Sequence, residues 1–134
     1  MPGVQFKFCN GATLRILLVD DEPDILDLMA IFLEKHGDIV VKSTSAGTAI
    51  ALLAGEFFDL VITDMVMPVM SGMELIRHVQ AKSHGTKIIA ISGGGKVLLD
   101  DYLDEAASAG ACAILRKPFS MTDFLERVRY VMDA

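Results

Sequence analysis

The sequence predicts an α/β fold in which helices cover both faces of a parallel five-stranded sheet. From residue 14 onward, short apolar runs alternate five times with amphipathic segments of helical periodicity. This alternation is typical of parallel sheets, whose crossover connections are right-handed. The 134 residues, of which 52% are hydrophobic, are enough to form the core of one compact domain.

The five predicted strands occupy residues 14–19, 39–41, 59–63, 87–91 and 111–115. The predicted helices run from 23 to about 36, from 45 to 53, from 71 to about 81, from about 97 to 109, and from 120 to 132. Pro23 suits the first turn of a helix, where its missing N–H is not needed, and Ser71 and Glu74 have the spacing of a capping box. In the first helix, four apolar residues at helical spacing are expected to face the core: Ile25, Leu28, Met29 and Phe32.

The first 13 residues are expected to be an extension of a domain that spans residues 14–134. Residues 4–8 alternate as an edge strand does, and Asn10-Gly11 favours a turn. This segment could add a strand, pack on a partner or be disordered.

Composition excludes several classes of protein. No apolar run approaches the 18 residues of a membrane span, and residues 1–10 lack the features of a signal peptide, so a cytoplasmic protein is expected. The cysteines, Cys9 and Cys112, form no metal-binding motif, and Cys112 is expected to be a small core residue. The net charge of −6 disfavours nucleic acid as a direct partner.

Polar residues follow four of the predicted strands at the point where each strand ends. They are Asp20 and Asp21 after the first strand, Asp64 after the third, Ser92 after the fourth and Lys117 after the fifth. The carboxyl ends of parallel strands share one edge of the sheet, where such folds bind ligands. Each residue alone has an ordinary explanation as a helix-end charge, a turn residue or a surface lysine, but their convergence favours a functional site.

The residue types at this edge are those of a metal and phosphate site. Carboxylate oxygens are ligands that Mg²⁺ prefers. Lys117 can neutralise a phosphoryl oxygen and Ser92 can donate a hydrogen bond to another. Asp64 is the most unusual member, because an apolar strand has no use for a charge in its own packing.

The motifs resemble the receiver domain of two-component response regulators. The resemblance covers about residues 14–132 and rests on Asp20-Asp21-Glu22-Pro23, the run from Val61 to Gly72, Ser92, and Lys117-Pro118-Phe119. It implies a flavodoxin-like, doubly wound sheet of strand order 2-1-3-4-5 flanked by five helices.

The resemblance also implies a role for each site residue. Asp64 would accept a phosphoryl group from a sensor histidine kinase or a histidine phosphotransfer protein, Lys117 would pair with its oxygens, and Ser92 would move toward it. A cis peptide bond would precede Pro118. The Mg²⁺ ligands would be Asp20, Asp21, Asp64 and the backbone carbonyl of Val66. Such a domain is a switch that catalyses only its own phosphorylation and dephosphorylation.

Phosphorylation is expected to change the placement of Ser92, and a downstream protein is expected to recognise the change. The domain could also form a homodimer. The reading face would combine the fourth predicted helix, the fifth strand and the last helix, with Leu98, Asp101, Tyr102 and Ala113. Ile114 departs from the family, which often has an aromatic residue there, and residues 93–95 are unusually glycine-rich.

Three alternatives remain at the level of sequence. One is a Mg²⁺-dependent phosphohydrolase with an aspartyl-phosphate intermediate, and another is a receiver-like binding module that is not phosphorylated. A nucleotide or flavin module is disfavoured, because the glycines lack the spacing of a phosphate-binding loop. The sequence also leaves open whether this domain acts alone or within a larger regulator or hybrid kinase.

Overall fold

The computed structural model describes residues 13–67, 69–83, 85–93, 107 and 109–133. The strands are β1 (Arg15–Val19), β2 (Ile39–Ser43), β3 (Leu60–Asp64), β4 (Lys87–Ser92) and β5 (Ala113–Arg116). The helices of the described ranges are α1 (Pro23–Lys35), α2 (Ala46–Gly55), α3 (Gly72–Lys82) and a C-terminal helix (Met121–Asp133).

Two predicted features fall outside these ranges. The fourth predicted helix, residues 97–109, lies outside the described residues except for positions 107 and 109, so four of the five predicted helices are seen. Residues 1–12, which include the predicted edge strand, also lie outside, as do Leu98, Asp101 and Tyr102 of the predicted reading face.

The sheet has the strand order β2-β1-β3-β4-β5, and every neighbouring pair is parallel, which confirms the predicted order. The register pairs Val19 with Thr63 and Ser92 with Arg116. The carboxyl ends of β1, β3, β4 and β5 therefore lie along one edge of the sheet.

Two apolar cores lie on opposite faces of the sheet. The residues of β1 alternate between them: Ile16 and Leu18 pack with α1 and the C-terminal helix, whereas Leu17 and Val19 pack with α2 and α3. Side chains of a strand point to opposite faces in turn, so Asp64 shares the α1 face with Leu60 and Ile62.

The predicted helix starts agree with the structure. Pro23 occupies the first turn of α1. The hydroxyl of Ser45 accepts a hydrogen bond from the Thr48 N–H at 3.1 Å at the start of α2. Ser71 and Glu74 form the predicted capping box of α3. These side chains satisfy backbone N–H groups that the first helical turn leaves without partners.

One expectation about burial is wrong, and a second, for α1, is met only by Met29 and in part by Ile25. Cys112 is exposed rather than part of the core, because β5 is an edge strand that begins only at Ala113. In α1, the buried residues are Leu26, Met29, Ala30 and Leu33, whereas Leu28 is 41% exposed. The helix is therefore rotated relative to the predicted stripe.

Within the described ranges, the helices lack the combination of length and apolar character that a membrane crossing needs.

Candidate functional site

The main chain of the sheet fixes two carboxylates at the carboxyl ends of β1 and β3. Asp64 is the last residue of β3 and is 4% exposed, and Asp20, which follows β1, is fully buried. The Asp20 N–H donates to the Ser43 carbonyl at 3.1 Å, and the Met65 N–H donates to the Ile91 carbonyl at 2.9 Å. Strand-like hydrogen bonds therefore fix the main chain that carries both carboxylates.

Lys117 connects these carboxylates from the end of β5. Its Nζ lies 3.2 Å from Asp20 Oδ2, 2.9 Å from Glu22 Oε1 and 3.4 Å from Asp64 Oδ2. Its backbone N–H donates to the Ser92 carbonyl at 2.8 Å. The peptide bond between Lys117 and Pro118 is cis, as predicted. The ammonium thus reaches the predicted phosphoacceptor while its backbone is joined to the end of β4.

The carboxylates are arranged as a hard cation requires. Oxygen atoms of Asp20, Asp21 and Asp64 all lie within 4.8 Å of one another, with Asp21 exposed and the other two buried. Mg²⁺ is bound by a small number of carboxylates and keeps several waters. A cluster with one solvent-facing member meets both conditions, so the donor set fits Mg²⁺.

Burial raises the pKa of both buried carboxyls, and in each case a neighbouring negative charge raises it further. For Asp64, burial raises the pKa most and the charge of Asp20 adds to it, while Lys117 and the Val66 N–H act in the opposite direction. For Asp20, burial also raises the pKa, against the Glu22 N–H and Lys117. The protein therefore holds two carboxylates close together at a cost in free energy.

Lys117 has the opposite electrostatic environment. Burial lowers its pKa, but the hydrogen bond to Glu22 and the charges of Asp64 and Asp20 outweigh burial, so the net pKa is raised. The side chain therefore stays an ammonium throughout the physiological pH range and is available to pair with oxygen anions.

Ser92 and Val66 lie at this edge but make weaker contacts. Ser92 is 3% exposed, and its hydroxyl donates to the Gly93 carbonyl at 3.4 Å. Among the described residues, the Gly93 carbonyl is the hydrogen-bond partner of this hydroxyl. The hydroxyl makes no hydrogen bond to Asp64 or Lys117. The Val66 N–H donates to Asp64 Oδ1 at 3.4 Å, and the residue is 62% exposed.

Glu22 belongs to the site although its role was not predicted. Of the three ion pairs that Lys117 makes with described residues, the pair with the Glu22 carboxylate is the shortest. The Glu22 N–H donates to Asp20 Oδ1 at 2.9 Å. The sequence places Glu22 directly after the two aspartates. A third acidic residue beside the two aspartates could have indicated that Glu22 belongs to the site. Nothing in the sequence indicated that it pairs with Lys117, which is 95 positions away.

Ile114, the departure from the family, is partly buried against the core formed with α2 and α3. The position is therefore filled by a packed aliphatic side chain.

Comparison with known proteins identifies the family. The profile of the response regulator receiver domain matches residues 16–129. The response regulator receiver protein CpdR of Brucella abortus is 33% identical over 120 residues, which cover 90% of this chain and 98% of CpdR. The response regulator protein PilR of Pseudomonas aeruginosa is 35% identical over 114 residues, but these cover 85% of this chain and only 25% of PilR.

Solved structures agree. A CheY-like receiver domain protein from Methanospirillum hungatei superposes with a TM-score of 0.84 and 33% identity, covering 91% of this chain and 95% of that one. The chemotaxis response regulator CheY4 of Vibrio cholerae gives a TM-score of 0.80 with 27% identity, covering 90% and 99%. With the acidic edge and the strand order described above, these similarities show that the chain belongs to the response regulator receiver domain family of two-component signalling.

Proposed function

We propose that Asp64 accepts a phosphoryl group from a sensor histidine kinase or a histidine phosphotransfer protein. The observation that carries this proposal is the position of Asp64, a buried carboxylate at a strand end whose Oδ2 is 3.4 Å from the Lys117 ammonium. A carboxylate in this position can act as a nucleophile beside a fixed positive charge.

The transfer is a single displacement at phosphorus. A carboxylate oxygen of Asp64 attacks the phosphorus of a phosphohistidine, a P–O bond forms, and the P–N bond to the imidazole breaks. The imidazole nitrogen keeps the electron pair of that bond. The product is an acyl phosphate on Asp64 and a free histidine on the donor.

Mg²⁺ bound at the edge would offset the repulsion between the anionic nucleophile and the anionic donor. The proposed ligands are Asp20, Asp21, Asp64 and the backbone carbonyl of Val66. Support comes from the mutual proximity of the three carboxylates and from the raised pKa of Asp20 and Asp64, which marks charge that a cation can stabilise.

After transfer, Lys117 pairs with the phosphoryl oxygens and Ser92 turns its hydroxyl toward them. Ser92 currently donates to the carbonyl of its own neighbour at 3.4 Å, a weak bond that is readily exchanged. The Lys117 N–H and the Ser92 carbonyl are already joined at 2.8 Å. Movement of either residue would therefore be felt by the other, which supports a switch involving both β4 and β5.

The domain that carries this activity spans residues 14–134, with residues 1–13 as an extension. Its output is a downstream protein bound at the face formed by β5, the C-terminal helix and the region of the fourth predicted helix, and a homodimer is a further option. We place the activity in the cytoplasm, without direct contact to nucleic acid. PilR and CpdR are both named as response regulators, which supports a regulatory output.

The test is phosphorylation by acetyl phosphate and Mg²⁺, followed by intact-mass measurement. The wild-type protein is expected to gain one phosphoryl group, and Asp64→Asn is expected to gain none. Asp27→Asn is a matched control, because Asp27 is exposed and pairs with Lys42 away from the edge. Its mass is expected to change as the wild type does.

The mass measurement and an assay of phosphate release test the two alternatives. An unchanged wild-type mass would favour a binding module that is not phosphorylated. Steady release of phosphate from many phosphomonoesters, with turnover that continues beyond one equivalent, would favour a phosphohydrolase.

A further inference from the structure

Among the described residues, Lys117 has three ion-pair partners, and one of them differs from the other two. The side chains of Asp20 and Asp64 are 0% and 6% exposed, whereas that of Glu22 is 66% exposed. Glu22 nevertheless makes the shortest contact with the ammonium, at 2.9 Å. Two partners are therefore fixed by burial, and the third is held from the solvent side.

The backbone of Glu22 is anchored where its side chain can reach the ammonium. Its N–H donates to Asp20 Oδ1, while the other oxygen of Asp20 contacts Lys117. Glu22 also precedes Pro23 as the N-terminal flanking residue of α1, but its side chain makes no capping hydrogen bond to that helix. The carboxylate is thus directed to Lys117 rather than to the helix N-terminus.

An ammonium has three N–H donors, and in this site the carboxylates of Asp20, Glu22 and Asp64 occupy all three. A phosphoryl group on Asp64 would bring further oxygen anions to the same ammonium. Asp20 and Asp64 cannot move away without disturbing buried structure, but an exposed glutamate can exchange the ion pair for water at little cost.

From this geometry we propose that Glu22 is a positioning residue that holds Lys117 in the unphosphorylated protein and competes with the phosphoryl group for its ammonium. This inference rests on the proposed role of Asp64 as phosphoacceptor. Glu22 would set how strongly the phosphorylated state is favoured. Removing its charge would leave Lys117 paired with Asp20 and Asp64, loosen its third contact and reduce the negative charge that an incoming phosphoryl group meets.

The test compares Glu22→Gln with Asp24→Asn. Asp24 lies in the first turn of the same helix and is exposed, and the ion pairs of Lys117 in the described part of the chain do not include it. Both variants lose one acidic charge near the same helix N-terminus. Beryllofluoride with Mg²⁺ serves as the phosphoryl mimic, and its dissociation constant is measured by calorimetry.

Glu22→Gln is expected to bind beryllofluoride about 2- to 5-fold more tightly than the wild type, the range that an exposed ion pair can supply. Asp24→Asn is expected to change affinity by less than half as much. The difference between Glu22→Gln and the wild type should shrink at about 1 M salt, where charges are screened within about 3 Å. A steric effect of the substitution would not respond to salt in this way.

A second measurement needs neither metal nor phosphoryl mimic. The ammonium resonance of Lys117 is observed by nitrogen NMR in the metal-free protein. Glu22→Gln is expected to shift it, because the shortest ion pair is lost, and Asp24→Asn to leave it in place. Glu22→Asp, which keeps the charge, is expected to move both the resonance and the affinity back toward wild-type values.

The outcomes separate this inference from the proposed function. If the wild type binds beryllofluoride and accepts phosphate but Glu22→Gln binds no more tightly, the competition is overturned and the phosphoacceptor role stands. An unmoved Lys117 resonance in Glu22→Gln also overturns it. If the wild type neither binds beryllofluoride nor gains a phosphoryl group, the proposed function itself fails, and the inference fails with it.

Discussion

Gly72 packs directly against the main chain of Asp64. A Cβ at position 72 would overlap the Asp64 carbonyl oxygen and lie 2.9 Å from its carbonyl carbon and 2.8 Å from the Met65 Cα. The Gly72 N–H also donates to the Met65 carbonyl at 3.1 Å. The start of α3 therefore sits on the backbone of the proposed phosphoacceptor, and only glycine leaves room for it.

Gly72→Ala is expected to destabilise the fold by about 1–3 kcal/mol, because backbone rather than a flexible side chain must move to admit the methyl group. It should also slow phosphorylation of Asp64 by displacing the nucleophile. Urea unfolding and the rate of mass gain with acetyl phosphate measure the two effects.

Gly47→Ala is the matched control for that substitution. Gly47 lies in α2, and a Cβ there would meet nothing within 4 Å. Alanine should therefore stabilise the protein by about 0.5–1 kcal/mol through its better helix propensity. Equal stability losses in the two variants would show that the contact with Asp64 does not matter.

The carboxyl pair predicts how stability depends on pH without divalent cations. The pKa values of Asp64 and Asp20 are raised in the folded protein above the ordinary 3.8. Between the ordinary and the raised pKa, the folded state binds more protons than the unfolded state. This extra proton binding therefore contributes to the free energy of unfolding in full below the ordinary pKa, and its contribution is lost as pH rises through the raised pKa of the folded state.

Asp64→Asn should remove part of this dependence and make the protein more stable than the wild type at pH 7, by about 0.5–2 kcal/mol. Lys117 keeps Asp20 and Glu22 as partners in that variant, so no ammonium is left alone. Urea titrations at several pH values in chelator measure the effect. A loss of stability at pH 7 would contradict the cost assigned to the buried charge.

Magnesium should stabilise the folded protein, because the carboxylate cluster exists only when the strand ends are assembled. At a concentration 100 times the dissociation constant, the gain is about 2.7 kcal/mol. Asp21→Asn should lose most of this gain while changing metal-free stability little, since Asp21 is exposed. A similar gain from sodium chloride at matched ionic strength would argue against a specific site.

The convergence of Asp20, Asp64 and Lys117 was predictable because it follows from parallel topology, whereas the strand order was predictable only from the resemblance to receiver domains. In such a sheet, any residue that directly follows a strand reaches the same edge. The partners of Lys117 were less predictable. Its pairing with Glu22 depends on side-chain placement across 95 positions of sequence, for which no local pattern exists.

The rotation of α1 shows a second limit. Leu26, Met29, Ala30 and Leu33 are buried, yet Ile25, Leu28, Ile31 and Phe32 are equally apolar. Two overlapping stripes satisfy helical periodicity, and the sheet surface selects between them. Periodicity therefore identified the helix but only part of the face that it buries, namely Met29 and the half-buried Ile25.

Gly110 controls how the chain enters β5, the strand that presents Lys117. Its φ of +123° lies in a region that residues with a Cβ rarely adopt, and an added Cβ would collide with the side chain of Gln80. Gln80 Nε2 donates to the Gly110 carbonyl at 3.1 Å, which ties α3 to this turn.

Gly110→Ala is expected to cost about 1–3 kcal/mol, and its combination with Gln80→Ala separates backbone strain from the collision. The long glutamine side chain can move aside, whereas the positive φ cannot be relieved by a change at position 80. The double variant should therefore remain less stable than Gln80→Ala alone by most of that cost, as measured by urea unfolding. If Gln80→Ala instead cancelled the loss, the collision rather than the backbone conformation would be what requires glycine at this turn.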